Sequence, residues 1–246
     1  MAFRGKRVQM AENRTLAGIR LLAGLDEAEL RRLEGRCRWR RFKTGETVIE
    51  RGSETRDVHF IVAGSVNIVN FSLSGREVTY ATLRAGDCVG ELSAIDGEPR
   101  SATVVAAEPS LLASLAAKDF LDLLQHRVEV TFRILERLAK MVRGGDIRIM
   151  ELSTLAATQR VFAELLRMAE PDTAVPGLWV IHPLPPLREI ASRVSTTRET
   201  VARALSQLYP SGLIRRKGRS LYIMNRASFK DLLDKMQMEG GASPRG

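Results

Sequence analysis

The apolar positions of this chain recur with two different spacings, and the change from one spacing to the other divides the sequence into segments. Near the N-terminus leucine and isoleucine recur at helical intervals, and Asp26 before Glu27 and Glu29 is a typical helix N-cap. From Cys37 to Leu115 the apolar runs are short and separated by glycines. Such spacing is typical of an antiparallel barrel or jelly roll. The pattern predicts a helix over 26–34 followed by a β domain.

Two strand pairs are expected inside this β domain. Segments 58–62 and 66–71 lie on either side of Ala63-Gly64, and Ser74-Gly75 separates the next pair, which ends near Leu83.

The next part of the chain has helical periodicity, with helices predicted over 118–124, 126–155 and 155–169. In the longest one, six positions are separated by alternating steps of three and four, which is the spacing of a coiled-coil seam. These positions are Leu135, Leu138, Val142, Gly145, Ile149 and Leu152. The seam predicts a parallel homodimer. The alternative is that the same stripe packs on the chain's own β domain.

Two helices joined by a tight turn are predicted over 187–208, after a loop at 171–186. Thr196 or Thr197 caps the second helix. The apolar interior of the pair would be filled by Ile190, Val194, Val201, Leu205 and Leu208. A hairpin turning at Lys217-Gly218 and a closing helix over 229–236 complete this helix-turn-helix pattern.

The stretch 89–103, VGELSAIDGEPRSAT, interrupts the strand pattern with a compact polar segment. A turn at Gly90, a carboxylate at Glu91, and then Arg100 and Ser101 are residue types that can hold a small sugar phosphate. The carboxylate accepts from a ribose hydroxyl, the guanidinium meets a phosphate with its planar fork, and the hydroxyl adds a donor. The simpler alternative is a turn and a salt-bridged Arg-Glu pair in an ordinary β domain.

The positive charge of the chain is concentrated near its C-terminus. Residues 185–246 contain 12 Lys and Arg against 5 Asp and Glu, an excess of 7 within the total of +9. A nucleic-acid-binding module requires such a local positive field.

Cysteine and histidine are too scattered to indicate a metal site. Cys37 and Cys88 are far apart, as are His59, His126 and His182, so we expect no iron-sulfur cluster, haem or zinc. No apolar run approaches the roughly 18 residues that span a bilayer, and the N-terminus lacks an apolar signal segment. We therefore expect a cytoplasmic protein with no membrane partner.

Two motifs are similar to those of one protein family. Gly90-Glu91-Leu92, followed by Pro99-Arg100-Ser101-Ala102, resembles the phosphate-binding cassette of cyclic-nucleotide-binding domains. The string 197–203, TRETVAR, resembles the recognition helix of the cyclic-AMP receptor / fumarate and nitrate regulator family of bacterial transcription regulators. The resemblance covers roughly residues 16–236.

This resemblance implies an α+β fold with an N-terminal β jelly-roll cyclic-nucleotide-binding domain, a long coiled-coil dimerisation helix and a C-terminal winged helix-turn-helix domain. The corresponding ranges are 14–125, 126–155 and 156–238. A mobile N-terminus is expected over 1–13 and a disordered tail over 239–246.

The resemblance also implies the ligand-binding residues. Gly90 and Glu91, with Leu92 beside them, would hold the ribose region, and Arg100 and Ser101 would hold the cyclic phosphate.

The base would meet Gly145 and Asp146, where the cyclic-AMP receptor presents a Thr-Ser pair to adenine. The Asp146 carboxylate can accept from adenine or guanine, so cAMP is preferred and cGMP is an open alternative. Each glycine inside a helix lowers helix stability by about 1 kcal/mol relative to alanine. Three explanations for Gly144-Gly145 stay open: room for a purine, a hinge, or a close helix crossing.

At the other end of the chain, the resemblance implies a double-stranded DNA partner. Arg198, Glu199 and Arg203 have the residue types that read guanine and cytosine edges in a major groove. Contacts to the DNA backbone would come from Thr197, Thr200, Lys217 and Arg219.

The predicted function is thus a homodimeric, cyclic-nucleotide-responsive transcription regulator that recognises a palindromic site. RNA polymerase is an expected partner, with the loop 171–186 as its candidate contact. One alternative is the same architecture with another effector or none. A remote alternative is an enzyme acting on a cyclic nucleotide with Glu91 as general base, but no second acid or metal-ligand cluster accompanies it, so no enzymatic activity is expected.

Overall fold

The computed structural model describes residues 14–71, 77–173 and 175–240. The predicted mobile segment 1–13, the turn at Ser74-Gly75 and residues 241–246 of the predicted tail lie outside the described residues. The chain forms two compact units, Met1–Met141 and Val142–Gly246. The sequence had placed the domain boundary near Leu155.

The first unit begins with a short 3-10 turn, Arg20–Leu22, and helix α1, Glu27–Arg36. The predicted N-cap is confirmed, because the Asp26 carboxylate accepts from Glu29 N at 2.8 Å while Asp26 N donates to Glu29 Oε2 at 3.1 Å. This reciprocal capping box satisfies two backbone donors that helix geometry leaves open.

Within the described residues, eight strands follow and form two four-stranded antiparallel sheets, so the predicted jelly-roll architecture is confirmed. One sheet has the order β1-β8-β3-β6 and the other β2-β7-β4-β5. The strands are β1 (Arg38–Phe42), β2 (Thr47–Ile49), β3 (Val58–Ala63), β4 (Ser65–Phe71), β5 (Glu77–Arg84), β6 (Cys88–Val89), β7 (Thr103–Ala106) and β8 (Ser110–Leu115). Phe60, Ile61 and Leu112 are fully buried in this domain, which gives the ligand cassette a rigid base.

Three helices pack with the β domain or continue from it. Helix α2 (Glu91–Asp96) lies inside the cassette, where the sequence indicated only a polar excursion. Helix α3 (Ala117–His126) and the long helix α4 (Val128–Thr154) follow at the predicted places.

The apolar positions of α4 divide between two environments in the single chain, and the predicted seam stays a prediction. Leu138 packs with Val130 and Ile134 against the core of the β domain. Four of the predicted seam positions, Leu135, Val142, Ile149 and Leu152, are 44–65% exposed, as are Val128 and Phe132.

The second unit contains helix α5 (Ala157–Met168), the predicted helix pair α6 (Leu187–Arg193) and α7 (Arg198–Leu208), and helix α8 (Arg226–Gly240). Its sheet has the order β11-β12-β10-β9. The strands are β9 (Glu170–Pro171), β10 (Trp179–Ile181), β11 (Ile214–Lys217) and β12 (Ser220–Ile223).

Two predictions for this unit were incomplete. The segment 171–186 is not only a loop, because β10 pairs with β12 through Val180 and Tyr222. The closing helix is longer than 229–236, so residues 239–240 of the predicted tail belong to α8. The strand β10 was not predicted because its three apolar residues are too few to show the period of two that marks a strand.

Candidate functional site

The cassette begins with a backbone turn that only glycine adopts easily. Gly90 has φ +90°, in the left-handed region, and forms the N-cap of α2. A Cβ placed there would lie 2.6 Å from Arg100 Nη1 and 2.9 Å from Asp57 O. Gly90 is thus needed both for the turn and for the close approach of the Arg100 guanidinium.

Arg100 is buried, with 3% of its surface exposed. Its Nε donates to Thr55 Oγ1 at 3.1 Å, Nη1 donates to Gly90 O at 2.8 Å, and Nη2 donates to Asp57 O at 2.7 Å. These bonds use three of the five N–H donors of the guanidinium and leave two for a ligand.

All three partners of Arg100 are neutral oxygens, and no carboxylate among the described residues pairs with it. Burial lowers the pKa of the Arg100 guanidinium, and the nearby Asp57 and Glu91 carboxylates offset only part of this effect. A buried cation with neutral partners has a charge that an anion can balance.

Glu91 is also buried, and its two carboxylate oxygens differ. Oε1 accepts from Arg137 Nε at 3.2 Å, whereas Oε2 is buried without a hydrogen-bond partner among the described atoms. Arg137 Nη2 donates in addition to Cys88 O at 2.8 Å, which fixes the guanidinium against β6. Oε2 therefore offers an acceptor to a hydroxyl donor such as a ribose.

Sequence reasoning missed Arg137. The residue lies on α4 in the first unit, 46 positions after Glu91, among other basic residues of an amphipathic helix. Nothing in that helix distinguishes it from Arg133 or Lys140, so only the fold shows that it pairs with the cassette.

The remaining predicted ligand residues are placed differently. Leu92 is half-buried on α2, and Ser101 is exposed directly after Arg100. Gly145 and Asp146 are exposed on α4 and belong to the second unit, whereas the cassette belongs to the first. The structure brings Gly90, Glu91 and Arg100 together with Arg137 within one unit.

Most of the predicted DNA-binding residues are exposed, whereas Thr200 is half-buried. Thr197 is the N-cap of α7, and its Oγ1 accepts from Thr200 N at 3.2 Å, which confirms one of the two predicted caps. The turn before α7 passes through Ser195, a non-glycine residue with φ 52°. Exposed side chains on α7 and the hairpin include Arg198, Glu199, Arg203, Lys217 and Arg219.

The Glu199 carboxylate is electrostatically suited to accept hydrogen bonds. Its own backbone N–H, and then the Thr197 hydroxyl, lower the pKa of this carboxyl at the start of α7. An ionised carboxylate at a helix N-terminus can accept from a cytosine amino group.

No helix among the described residues is both long and apolar enough to cross a membrane. Within the same residues, no group of three or more His, Cys, Asp and Glu side chains is arranged to hold a metal ion.

Comparisons with known proteins match a family model in each of the two parts of the chain. Residues 39–127 match the cyclic nucleotide-binding domain family, and residues 159–232 match the Crp-like helix-turn-helix domain family. The cyclic AMP receptor protein of Thermus thermophilus is 30% identical over 176 residues, which cover 72% of this chain and 79% of that protein.

Solved structures share the fold. A mutant of CooA from Carboxydothermus hydrogenoformans aligns with a TM-score of 0.72 at 19% identity, over 81% of this chain and 88% of that chain. The c-di-GMP responsive global regulator CLP from Xanthomonas campestris aligns with a TM-score of 0.63 at 22% identity, over 80% and 99% of the two chains.

A cyclic nucleotide-binding domain followed by a Crp-like helix-turn-helix domain defines a DNA-binding transcription regulator. The chain belongs to the cyclic-AMP receptor / fumarate and nitrate regulator family, as the two sequence motifs predicted.

Proposed function

We propose that this protein is a homodimeric transcription regulator whose binding to a palindromic DNA site is controlled by cAMP. The observation that carries the proposal is the buried Arg100 guanidinium, which has only neutral partners and two N–H donors left. A cyclic phosphate supplies the missing negative charge and accepts from both donors. Ser101 adds a hydroxyl at the edge of the same turn.

Glu91 supports the sugar half of this proposal. Its Oε2 is a buried acceptor without a partner, so a ribose hydroxyl would remove an unsatisfied group as well as add a hydrogen bond. Its Oε1 already accepts from Arg137, and no second acid or metal-ligand cluster among the described residues accompanies it. We therefore assign Glu91 to ligand binding and propose no enzymatic role.

The nucleotide base is the finer part of the proposal. Asp146, with Gly145 beside it, remains a proposed base contact on α4, and its carboxylate suits both adenine and guanine. We favour cAMP because relatives named as cAMP-activated regulators match this chain, such as Vfr of Pseudomonas aeruginosa at 29% identity over 198 residues, or 79% of this chain and 92% of Vfr. The fold is shared with the c-di-GMP responsive regulator CLP, so another effector is the second candidate.

DNA binding would use α7 for bases and the hairpin for phosphates. Arg198, Glu199 and Arg203 are the proposed base contacts, while Lys217 and Arg219 are proposed phosphate contacts at the hairpin. Thr197 and Thr200 complete the proposed backbone contacts at the start of α7. RNA polymerase remains a proposed partner through residues 171–186, and such a regulator would act in the cytoplasm.

Calorimetric titration with cAMP, cGMP and c-di-GMP in parallel tests the effector. We expect the parent to bind cAMP and Arg100→Ala to lose that binding, because the phosphate loses its charge-assisted partner. Arg84→Ala, which removes an exposed arginine of the same β domain, is the matched control and should bind as the parent does.

Gel shifts with and without cAMP test the response. The parent should bind its DNA site more tightly with cAMP, and Arg100→Ala should show no difference between the two lanes. Equal DNA binding by the parent in both lanes would contradict control by cAMP.

A further inference from the structure

One buried acceptor next to the cassette has no role in the site described so far. Asn70, on β4, donates from Nδ2 to Tyr80 Oη at 3.1 Å and to Ser101 O at 3.4 Å. Its Oδ1 is buried and has no hydrogen-bond partner among the described atoms. An unsatisfied buried oxygen of this kind needs an explanation, and a missing ligand donor is one.

The orientation of the Asn70 amide follows from its neighbours. A backbone carbonyl such as Ser101 O can only accept, so the amide nitrogen and not the oxygen must face it. Oδ1 is therefore held as an acceptor by contacts that do not involve the ligand. Such a preorganised acceptor is specific for a donor group.

A β-bulge brings Tyr80 to this position. In the β4–β5 pairing, Ile68 is opposite Ala81 and Val69 is opposite Thr79, so Tyr80 is the extra residue between two pairs. Bulges redirect a side chain and are frequent beside functional sites. Half of the Tyr80 surface is exposed, which leaves an aromatic ring next to the cassette. Aromatic rings of this kind stack well on nucleic-acid bases.

We propose that Asn70, held by Tyr80 and by the Ser101 carbonyl, is a specificity-determining residue whose Oδ1 accepts a hydrogen bond from an N–H donor of the purine. This inference rests on the proposed cyclic-nucleotide function. A cyclic phosphate diester offers only acceptors, so it cannot satisfy Oδ1. The ribose hydroxyl is assigned to Glu91. The exocyclic amine of the base has two N–H donors, and the proposed contact with Asp146 uses one of them, so the other remains for Oδ1.

A chemically similar residue nearby does not offer a second unpaired acceptor. Asn67 lies on the same strand and resembles Asn70 chemically, but its Oδ1 already accepts from Thr82 Oγ1 at 2.7 Å. The Asn67 oxygen is thus satisfied by a cross-strand hydrogen bond, whereas the Asn70 oxygen at the cassette has no partner among the described atoms. Asn67 provides a matched control on the same hairpin.

The experiment compares the full-length parent, Asn70→Leu and Asn67→Leu in calorimetric titrations. The two ligands are cAMP and purine riboside cyclic monophosphate, which lacks the exocyclic amine. We expect the parent to bind cAMP about tenfold or more tightly than the analogue, because the analogue leaves a buried acceptor unpaired. Asn70→Leu should reduce this ratio by about threefold or more, because the proposed Asp146 contact to the amine is kept, and Asn67→Leu should keep the parental ratio.

The outcomes separate the inference from the function on which it rests. If the parent binds neither ligand, the proposed function fails and the inference fails with it. If the parent binds both ligands equally, or if Asn70→Leu keeps the parental ratio, Asn70 does not read the base although a cyclic nucleotide still binds. Thermal unfolding identifies a misfolded variant, and Asn70→Ala then replaces Asn70→Leu in the same comparison.

Discussion

At the scale of single residues, the proposed ligand site contains the buried positive charge of Arg100, which pairs with no carboxylate among the described residues. Arg100 donates only to neutral oxygens, and its charge also acts on the imidazole of His59. His59 Nδ1 lies 2.7 Å from Ser114 Oγ, and burial, followed by the Arg100 charge, lowers the pKa of His59 to about 4. At neutral pH His59 therefore adds no second positive charge beside the guanidinium.

This depressed pKa predicts a dependence of stability on pH. Between the unfolded value near 6.5 and the folded value near 4, the unfolded chain binds the proton more readily. The contribution of His59 is thus complete above about pH 6.5 and is lost as the pH falls towards 4, on the order of 1 kcal/mol per pH unit. Urea unfolding at several pH values between 7 and 4.5 measures this slope.

The variants for this measurement are His59→Gln and, as a control, His126→Gln. His59→Gln should flatten the pH dependence of the free energy of unfolding, whereas removal of the exposed His126 should leave the parental slope. Identical slopes in the parent and His59→Gln would show that His59 does not titrate differently in the folded and unfolded states.

At the scale of elements, local signals could be predicted and contacts between distant elements could not. The caps at Asp26 and Thr197 and the turn at Gly90 are written in a few consecutive residues, and all three were predicted. The pairing of Glu91 with Arg137 joins residues 46 apart, so no local pattern contains it. The Asn70 contact depends on a bulge in the opposite strand, which alternation along one strand does not indicate.

Substitutions in the helix-turn-helix and in its hairpin should have different effects on DNA binding. Arg203→Ala on α7 should cost about 1 to 3 kcal/mol of DNA-binding free energy and relax base preference at one position, because it would remove the proposed base contact. Lys217→Ala at the hairpin should weaken binding to all sequences alike and reduce the salt dependence, because it would remove the proposed phosphate contact. Binding to a panel of operator variants at two salt concentrations distinguishes the two effects. Unchanged sequence profiles in both variants would contradict this division of roles.

At the scale of the whole molecule, the apolar residues of α4 are the feature that bears on dimer formation. The sequence left two alternatives open for its apolar stripe, a partner helix or the chain's own β domain, and the structure shows the second for only some of the residues. Ile134 and Leu138 pack with the β-domain core, while Phe132, Val142 and Ile149 stay exposed. An exposed stripe with steps of three, four and seven residues is what a parallel helix pair would bury.

Val142→Glu tests this assembly. Val142 is 65% exposed in the single chain, so a glutamate there should leave the protomer folded. In a helix pair the same carboxylate would be buried opposite its counterpart, and we expect the dimer dissociation constant to rise about tenfold or more. Lys140→Glu places the same side chain on the opposite side of α4 and should leave the dimer intact. Sedimentation equilibrium measures both, and an unchanged dimer in Val142→Glu would show that this stripe is not the dimer interface.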